Sequence, residues 1–263
     1  MLTNSQIQEF REKGFLLGKR ILTNREIDEL RSELDRVIVD ESDESKQQPV
    51  QIVNLSAKRE EPVWQIVNIW EASHAYYQLI KNETIVEEIA QLMDAKELRV
   101  WHDQIQYKPS EVGGINMWHQ DSPYWPILTP ETTQMSAWVA LDDANEKNGC
   151  MSMVEGSHLW GNQIDFIHTF GSFENTPEKF KGNDVKISLC PVPKGHVHYH
   201  HALTWHGSHA NNSNQKRRAI AVHYMTEETF YDGTRDHVMK KFVENVAHNE
   251  KLTGKSFPLA WSK

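Results

Sequence analysis

The sequence predicts a mainly β protein with flanking α-helices, in which short strands form a barrel or a sandwich. From residue 98 onward, apolar and polar residues alternate over several short segments, as in half-buried strands. Turn residues separate these segments, which favours a barrel or sandwich over a parallel α/β sheet. Because barrels of about this length are commonly single domains, we expect one domain over residues 1–263.

Helical periodicity dominates the N-terminal third of the chain and returns at its end. Helices are expected over 6–13, from Thr23 or Asn24 to about residue 37, over 63–90, and near the C-terminus within 242–263. A short strand is expected over Phe15–Leu17 between the first two helices. The polar segment 40–62, with a strand-like interruption at Val50–Val53, predicts a mobile surface loop or lid.

The predicted strands follow one another after residue 97, with a turn expected over Asp142–Gly149. They cover residues 98–108, 117–121, 134–141, 150–154, 185–189, 196–200 and 218–225. Each is five to eleven residues long, which is typical of strands in an antiparallel barrel or sandwich.

Composition excludes several classes of function. The net charge of -9 argues against a nucleic-acid surface, since phosphate contacts need clustered Lys and Arg. No run of 18 apolar residues is present, so we expect no membrane span. Cys150 and Cys190 are expected to be free thiols, because the N-terminus carries no secretory signal pattern. These observations predict a cytoplasmic protein that acts on a small molecule.

Met117–Asp121 offers two metal ligands on one segment. On a strand, side chains alternate between faces, so His119 and Asp121 would point to the same side while Gln120 points away. Two histidines and one carboxylate on one face of an octahedron form the site of non-haem Fe(II) oxygenases. The motif therefore supplies half of such a site and still needs a second histidine.

A histidine-rich segment, 195–209, offers candidates for that ligand. His196, His198 and His200 share one strand face, but they spread over about 13 Å, so at most two could share one metal. Hydrogen bonding in a buried network is the more common fate of such residues. His206 differs because Arg217 follows it directly before the next predicted strand. If Arg217 lies on that strand after a turn, its guanidinium could return to the same cavity and hold the far carboxylate of a small diacid.

On these residues the chain resembles the phytanoyl-CoA dioxygenase family of Fe(II)/2-oxoglutarate oxygenases. The matching motifs are Lys108-Pro109, His119-Gln120-Asp121, Trp138, Asn148-Gly149-Cys150, Gly156-Ser157-His158, His206-Gly207-Ser208 and Arg217, eleven residues after His206. The resemblance covers residues from about 98 to 225. It implies a double-stranded β-helix (a jelly-roll or cupin-like barrel) over that range, with the N-terminal helices packed on it.

The resemblance also implies roles for individual residues. His119, Asp121 and His206 would be the catalytic ligands of Fe(II). Arg217 would pair with the distal carboxylate of the cosubstrate 2-oxoglutarate, assisted by the Ser208 hydroxyl. Other residues would line the cosubstrate pocket, namely Gln104 and Trp138, although Trp138 fits a plain core position almost equally well.

The implied reaction uses O2 to hydroxylate an unactivated C–H bond of a small organic substrate, with release of succinate and CO2. Asp121 fills the position that a halide would need, so the resemblance implies hydroxylation and not chlorination. The aromatic segment Ser122–Pro126 is expected to line the entrance, and no basic cluster is evident for the phosphates of a CoA group. The substrate and the choice between monomer and dimer stay open.

Two alternatives remain open. A zinc or nickel enzyme of the cupin type could use the cluster His196–His201 and bind metal without His119 or Asp121. A metal-binding barrel without 2-oxoglutarate turnover is the other alternative, although such a protein would have no need of all four of the residues His119, Asp121, His206 and Arg217.

Overall fold

The structure is a computed structural model that describes residues 1–56, 63–111 and 114–263. The end of the loop or lid predicted over 40–62 falls outside the described residues. Its strand-like interruption is confirmed as a strand at Gln51–Asn54.

In the described residues, five α-helices lie outside the main sheets. They are α1 (Asn4–Lys13), α2 (Asn24–Val39), α3 (His74–Leu79), α4 (Glu83–Met93) and α5 (Ile164–Ile167). Thr3 and Thr23 each cap a helix through a reciprocal capping box, a feature that contributes about 1 kcal/mol. The first helix ends at Gly14, whose left-handed backbone (φ 82°) suits glycine. The predictions for the first two helices are confirmed.

Sixteen strands account for most of the remaining regular structure of the described residues. They are β1 (Phe15–Arg20), β2 (Gln51–Asn54), β3 (Trp64–Val67), β4 (Glu97–Lys108), β5 (Asn116–His119), β6 (Leu128–Thr129), β7 (Gln134–Ala140), β8 (Met151–Val154), β9 (Lys179–Phe180), β10 (Asn183–Asp184), β11 (Ile187–Cys190), β12 (His196–His201), β13 (His206–Ser208), β14 (Arg217–Thr226), β15 (Phe230–Tyr231) and β16 (Leu259–Ser262).

Two antiparallel sheets form the framework. The larger has the order β1-β12-β7-β14-β4-β3-β2, with β16 also pairing with β4, and the smaller has the order β11-β8-β13-β5. Neither sheet closes on itself. Crossed strand order with two facing antiparallel sheets is the arrangement of a jelly roll, so the predicted mainly β class is confirmed.

The larger sheet is covered on both faces. One face packs against the helices through residues such as Phe10, Leu34, Ile89 and Ile220. The other face meets the smaller sheet through a second apolar cluster, whose members include Trp138, Ala140, Met151, Met153 and Cys190. The space between the sheets is therefore filled by apolar side chains at one end, and the polar residues of the candidate site lie along the rest of it.

Two predicted helices are wrong. The segment 63–90 begins with strand β3, and helices α3 and α4 occupy only its later part. The C-terminal segment contains no helix within residues 243–263, all of which are described, and ends in strand β16. Both strands pair with β4, which is distant from β16 in sequence. Pairing with a distant strand overrides local helical periodicity.

Among the described residues, no helix has both the length and the apolar character needed to cross a bilayer.

Candidate active site

Two histidines meet where β5 and β13 lie side by side. His206 pairs directly with His119 across the two antiparallel strands, and their ring centroids are 4.1 Å apart. Asp121 lies just beyond the end of β5, and one ligand atom from each of the three residues lies within 4.8 Å of the other two. The structure thus brings together the three residues that the sequence predicted as metal ligands.

The predicted strand over 117–121 ends two residues early. Asp121 has helical backbone angles (φ −73°, ψ −51°), and its amide donates to the carbonyl of Ala202 at 2.8 Å. Alternation along a strand is therefore not what turns its carboxylate toward His119. A tight turn docked on the chain just after β12 does so instead.

The backbone orients both imidazoles. The Nδ1 atom of His119 lies 2.8 Å from the carbonyl oxygen of Met117, and that of His206 lies 2.9 Å from the carbonyl oxygen of Thr204. A carbonyl can only accept, so each Nδ1 carries the proton and each Nε2 keeps its lone pair. The Nε2 atoms are the ones that face Asp121. This is the usual way in which a protein fixes histidine ligands of a metal.

Hydrogen bonds from neighbouring side chains engage only one of the two carboxylate oxygens of Asp121. Its Oδ2 atom lies 2.8 Å from Ser136 Oγ and 3.1 Å from His200 Nε2. Ser136 Oγ also lies 2.7 Å from His223 Nδ1. Because the ionised carboxylate only accepts, the single hydroxyl proton of Ser136 goes to Asp121, and Ser136 accepts from His223.

The other oxygen of Asp121 is left for a metal. Oδ1 lies 3.5 Å from His206 Nε2 and 3.9 Å from His119 Nε2, separations that a single ion could bridge. With Oδ2 engaged by Ser136 and His200, Asp121 would bind through one oxygen. Single-oxygen binding leaves more coordination positions open on an octahedral ion.

The surroundings of the three candidate ligands favour their metal-binding protonation states. Burial lowers the pKa of His119 to about 4, helped by the neighbouring His206, and it also lowers the pKa of His206. Burial alone would raise the pKa of Asp121, but the surrounding imidazoles of His206, His200 and His223 hold that pKa well below its usual value. Neutral imidazoles and an ionised carboxylate form a donor set that fits Fe(II).

Two buried basic side chains line the same cavity as His119 and Asp121. Arg217 and Lys108 are opposite each other on β14 and β4, and their exposed fractions are only 1% and 3%. The guanidinium lies over the Trp138 ring at 5.4 Å. Its Nε and Nη1 atoms are buried and have no hydrogen-bond partner. Among the described residues no carboxylate forms an ion pair with either cation, so the pair suits an anionic ligand.

The amine of Lys108 forms hydrogen bonds with the segment that contains Ser208. Its Nζ donates to Ser208 Oγ at 2.7 Å and to the carbonyl of His209. The serine hydroxyl thus accepts from Lys108 and can still donate its own proton. Burial, together with the nearby charge of Arg217, lowers the pKa of Lys108 to about 6, and burial lowers that of Arg217 to about 10.

The turn predicted over Asp142–Gly149 requires a glycine at its last position. The backbone of Gly149 is left-handed (φ 78°), and a Cβ atom there would lie 2.3 Å from the carbonyl oxygen of His209. That carbonyl is one of the two groups that hold Lys108. The Asn148-Gly149 turn therefore lets the chain around His209 approach closely enough to fix the cation.

A cavity of about 480 Å³ joins the candidate metal site and the two basic side chains to the surface. Gln104 lines this cavity, and Gln106 lines both the cavity and a narrow inner extension that also contacts Trp138 and Ser208. Gln106 accepts a hydrogen bond from Trp138 Nε1 at 3.0 Å. Tyr124 of the predicted aromatic entrance lies at the mouth with its side chain half exposed.

The histidine cluster of β12 has other roles. His200 bonds to Asp121, and His198 stacks on Phe15 with centroids 5.8 Å apart. Among the residues that the structure describes, only His119, Asp121 and His206 form a group of three possible metal ligands. The arrangement thus gives the cupin-type alternative based on His196–His201 no support.

Comparison with known proteins agrees with this geometry. The sequence pattern of the family described as phytanoyl-CoA dioxygenase (PhyH) matches residues 10–219, about four-fifths of the chain. The chain belongs to the phytanoyl-CoA dioxygenase family. The family resemblance predicted from the motifs is therefore confirmed, and with it the prediction of a dioxygenase.

Relatives of the family differ widely in their described reactions. The human "Phytanoyl-CoA dioxygenase, peroxisomal" is 23% identical over 263 residues, which cover 94% of this chain and 76% of that protein. Two solved structures from nogalamycin biosynthesis superpose over 98% of this chain and 96% of theirs. They are the non-haem α-ketoglutarate-dependent epimerase SnoN (TM-score 0.79, 21% identity) and carbocyclase SnoK (TM-score 0.75, 24% identity). At these identities the structures establish a shared fold.

Sequence reasoning missed part of the polar network in this PhyH-family site. Lys108 and Gln106 follow Gln104 at two-residue spacing on β4, so parity along the predicted strand could have found both. Ser136, His200 and His223 lie on three neighbouring strands. No sequence signal links these three, because their contact depends on how the strands pair.

Proposed function

We propose that the protein is an Fe(II)- and 2-oxoglutarate-dependent dioxygenase that hydroxylates an unactivated C–H bond of a small organic substrate and releases succinate and CO2. One observation carries the proposal: a His-Asp-His cluster and a buried, unpaired guanidinium share one cavity. The first fits Fe(II), and the second fits the far carboxylate of a diacid that binds the metal at its other end.

In this proposal His119, Asp121 and His206 hold the metal through Nε2, Oδ1 and Nε2. Iron, when bound, supplies the redox chemistry that couples decarboxylation of 2-oxoglutarate to oxidation of the substrate by O2. The protein residues do the positioning. Backbone carbonyls keep the imidazoles in the correct tautomer, and Ser136 with His200 keeps one carboxylate oxygen away from the metal.

The cosubstrate would lie between the metal ligands and Arg217. The guanidinium offers two unpaired N–H groups to the distal carboxylate, and Ser208 can donate a further hydrogen bond. Trp138 walls the pocket beneath the guanidinium, and Gln106 holds the indole in place. Gln104 lies at the edge of this pocket on the side of the larger cavity.

The alternative is a metal-binding barrel without 2-oxoglutarate turnover. It predicts the same metal ligands and gives no role to Arg217 or Lys108. A buried guanidinium without a counter-charge, opposite an amine that gains a proton when an anion binds, is unfavourable in a protein that binds no anion, so the pair favours the oxygenase.

Spectroscopy tests the proposed function directly. Addition of 2-oxoglutarate to the anaerobic Fe(II)-loaded protein should produce a weak visible charge-transfer band, and admission of O2 should then release succinate. Lack of the band at saturating 2-oxoglutarate would rule out the oxygenase. A band without succinate, across a broad panel of small molecules, would favour the alternative.

Three broader expectations remain proposals. We take residues 1–263 as one domain, because the helices pack on the large sheet that carries Lys108 and Arg217, and that sheet packs on the smaller one that carries His119 and His206. The expected cytoplasmic location is consistent with two buried, free cysteines, Cys150 and Cys190. The expected partner is a small-molecule substrate, in a monomer or a dimer.

A further inference from the structure

In the described lining of the 480 Å³ cavity, charged side chains occur only in its deep part, which comprises the metal end and the cosubstrate end. Asp121 belongs to the metal end, and Lys108 and Arg217 belong to the cosubstrate end. The remaining described lining consists of apolar, aromatic, amide and imidazole groups. An ionised substrate group placed there would lose its hydration without gaining a counter-charge, which is far more costly than placing a neutral polar group.

Three amide side chains of the described cavity lining lack partners, and two of them, Gln65 and Gln104, lie outside the narrow inner extension that Asn116 also lines. Gln65 on β3 and Gln104 on β4 both line the outer part of the cavity, on neighbouring strands where Val67 faces Gln104 and Gln65 faces Gln106. Each is half-buried, and neither amide forms a hydrogen bond with a described residue, whereas Gln106 is engaged by Trp138. An amide offers a donor and an acceptor side by side with no net charge. Such a donor and acceptor pair is complementary to the carbonyl and N–H groups of a carboxamide or a lactam.

Aromatic surface flanks these amides. Trp64, Tyr124 and Trp125 line the cavity, and the Tyr124 hydroxyl is bonded to His168 Nε2 at 3.0 Å, which fixes the ring. The Tyr124 ring lies 6.3 Å from that of His119. A flat apolar group against Tyr124 would therefore lie next to the metal end of the cavity.

His237 adds a neutral donor. Its Nδ1 accepts a hydrogen bond from the Met239 amide at 3.2 Å, so the proton of the neutral ring is on Nε2. Burial lowers the pKa of His237, which keeps the ring uncharged at neutral pH. The outer cavity therefore gains hydrogen-bonding capacity here without gaining a charge.

We propose that this outer cavity binds an uncharged, ring-bearing small molecule that carries a carboxamide- or lactam-like group, recognised by Gln65 and Gln104. The proposal rests on the proposed function, because it takes the deep cations for the cosubstrate. Because the described lining offers no counter-charge in this part of the cavity, the proposal does not take a carboxylate or an ammonium group as the main recognition element of the substrate.

The test uses matched probes on the whole protein. Phenylacetamide, indole-3-acetamide and 1-naphthylacetamide are titrated calorimetrically, each beside its carboxylate and its amine counterpart. The protein is kept anaerobic with Fe(II) and 2-oxoglutarate. At least one amide should bind about tenfold more tightly than both of its charged counterparts. In Gln65→Leu and Gln104→Leu the preference should fall below about threefold.

Gln8→Leu is the matched control, because Gln8 is exposed on α1 and bonds only to Glu12. It should keep the preference of the unsubstituted protein. The proposal is overturned if a charged counterpart binds as tightly as its amide, if no amide binds up to about 10 mM, or if the preference survives both cavity substitutions. The 2-oxoglutarate charge-transfer band is recorded in every sample, so a failure of the proposed function is seen separately.

Discussion

The two ends of the cavity handle buried polar groups in opposite ways. At the metal end, Asp121 is held by Ser136 and His200, and the Nδ1 atoms of both candidate histidine ligands meet carbonyl oxygens. At the other end, Arg217 is buried with Nε and Nη1 unpaired, opposite the buried amine of Lys108. The metal end finds these hydrogen-bond partners within the chain, whereas the guanidinium at the other end lacks a partner.

This difference indicates which parts of the site are preorganised and which await a ligand. A cluster with its hydrogen bonds satisfied holds its geometry before metal arrives. A buried guanidinium without a counter-ion lowers the stability of the empty protein, and an anion that binds there recovers that loss. The metal ligands should therefore tolerate little change, whereas changes at the cation end should act mainly on the cosubstrate.

Asp121→Ala should have the largest effect, because it removes both a ligand and the centre of the hydrogen-bond network. Affinity for Fe(II) should fall by more than about 100-fold, beyond the range seen when outer partners are lost. Succinate formation should disappear. Equilibrium dialysis against Fe(II) measures the first and a coupled assay the second, with Asp184→Ala at an exposed site as control. Activity retained by Asp121→Ala would refute the assignment of the ligand set.

Arg217→Met should separate the two ends. Affinity for 2-oxoglutarate should fall by about 100-fold, since charged hydrogen bonds are lost, while Fe(II) affinity should stay within about twofold. The 2-oxoglutarate-free variant should gain about 1 kcal/mol or more in free energy of unfolding, because an unpaired buried charge is gone. Urea denaturation checks this, with exposed Arg235→Met as control. Equal losses of iron and 2-oxoglutarate affinity would make Arg217 a structural residue.

Ser136→Ala should have an intermediate effect at the metal end. It removes the hydroxyl that occupies Asp121 Oδ2, so Fe(II) affinity should fall by about tenfold. The absorption spectrum of the Co(II)-substituted protein should also change, because Asp121 becomes free to bind through both oxygens. Ser136→Thr, which keeps the hydroxyl, should restore most of the affinity and the spectrum. If Thr behaves like Ala, Ser136 acts only through packing.

Lys108 predicts a modest pH dependence at the cosubstrate end. In the empty protein its pKa is about 6, so between that value and the unfolded pKa near 10.5 the unfolded chain binds more protons. The free energy of unfolding contributed by Lys108 therefore rises with pH across this window. A bound dianion raises the Lys108 pKa, so affinity for 2-oxoglutarate should increase severalfold from pH 8 to pH 6.

Calorimetry in buffers of different ionisation enthalpy measures the proton uptake that accompanies 2-oxoglutarate binding. Lys108→Met should bind with little proton uptake at pH 7. Proton uptake that persists in Lys108→Met would place the titrating group elsewhere.

Local patterns predicted much of the fold but misassigned segments that depend on distant partners. Capping residues and periodicity located α1 and α2, and alternation located the long strands β4, β7 and β14. Strands β3 and β16 are four residues each and gain stability by pairing with β4. A periodicity over so few residues does not separate a strand from a helix turn.

The site was predicted through its ligands and not through their supports. His119, Asp121, His206 and Arg217 stand in motifs with fixed spacing, so they can be found along the chain. The groups that hold Asp121 come from β7, β12 and β14, and only the order of strands in the large sheet brings them together. Strand order is a property of the folded sheet that spacing along one chain does not encode.

A crystal structure grown anaerobically with Mn(II) and 2-oxoglutarate would test the central claim most directly. We predict the metal on His119 Nε2, Asp121 Oδ1 and His206 Nε2, with Asp121 Oδ2 still bonded to Ser136 and the far carboxylate on Arg217. A metal held by His200 or His223, or a carboxylate bound away from the guanidinium, would contradict the account.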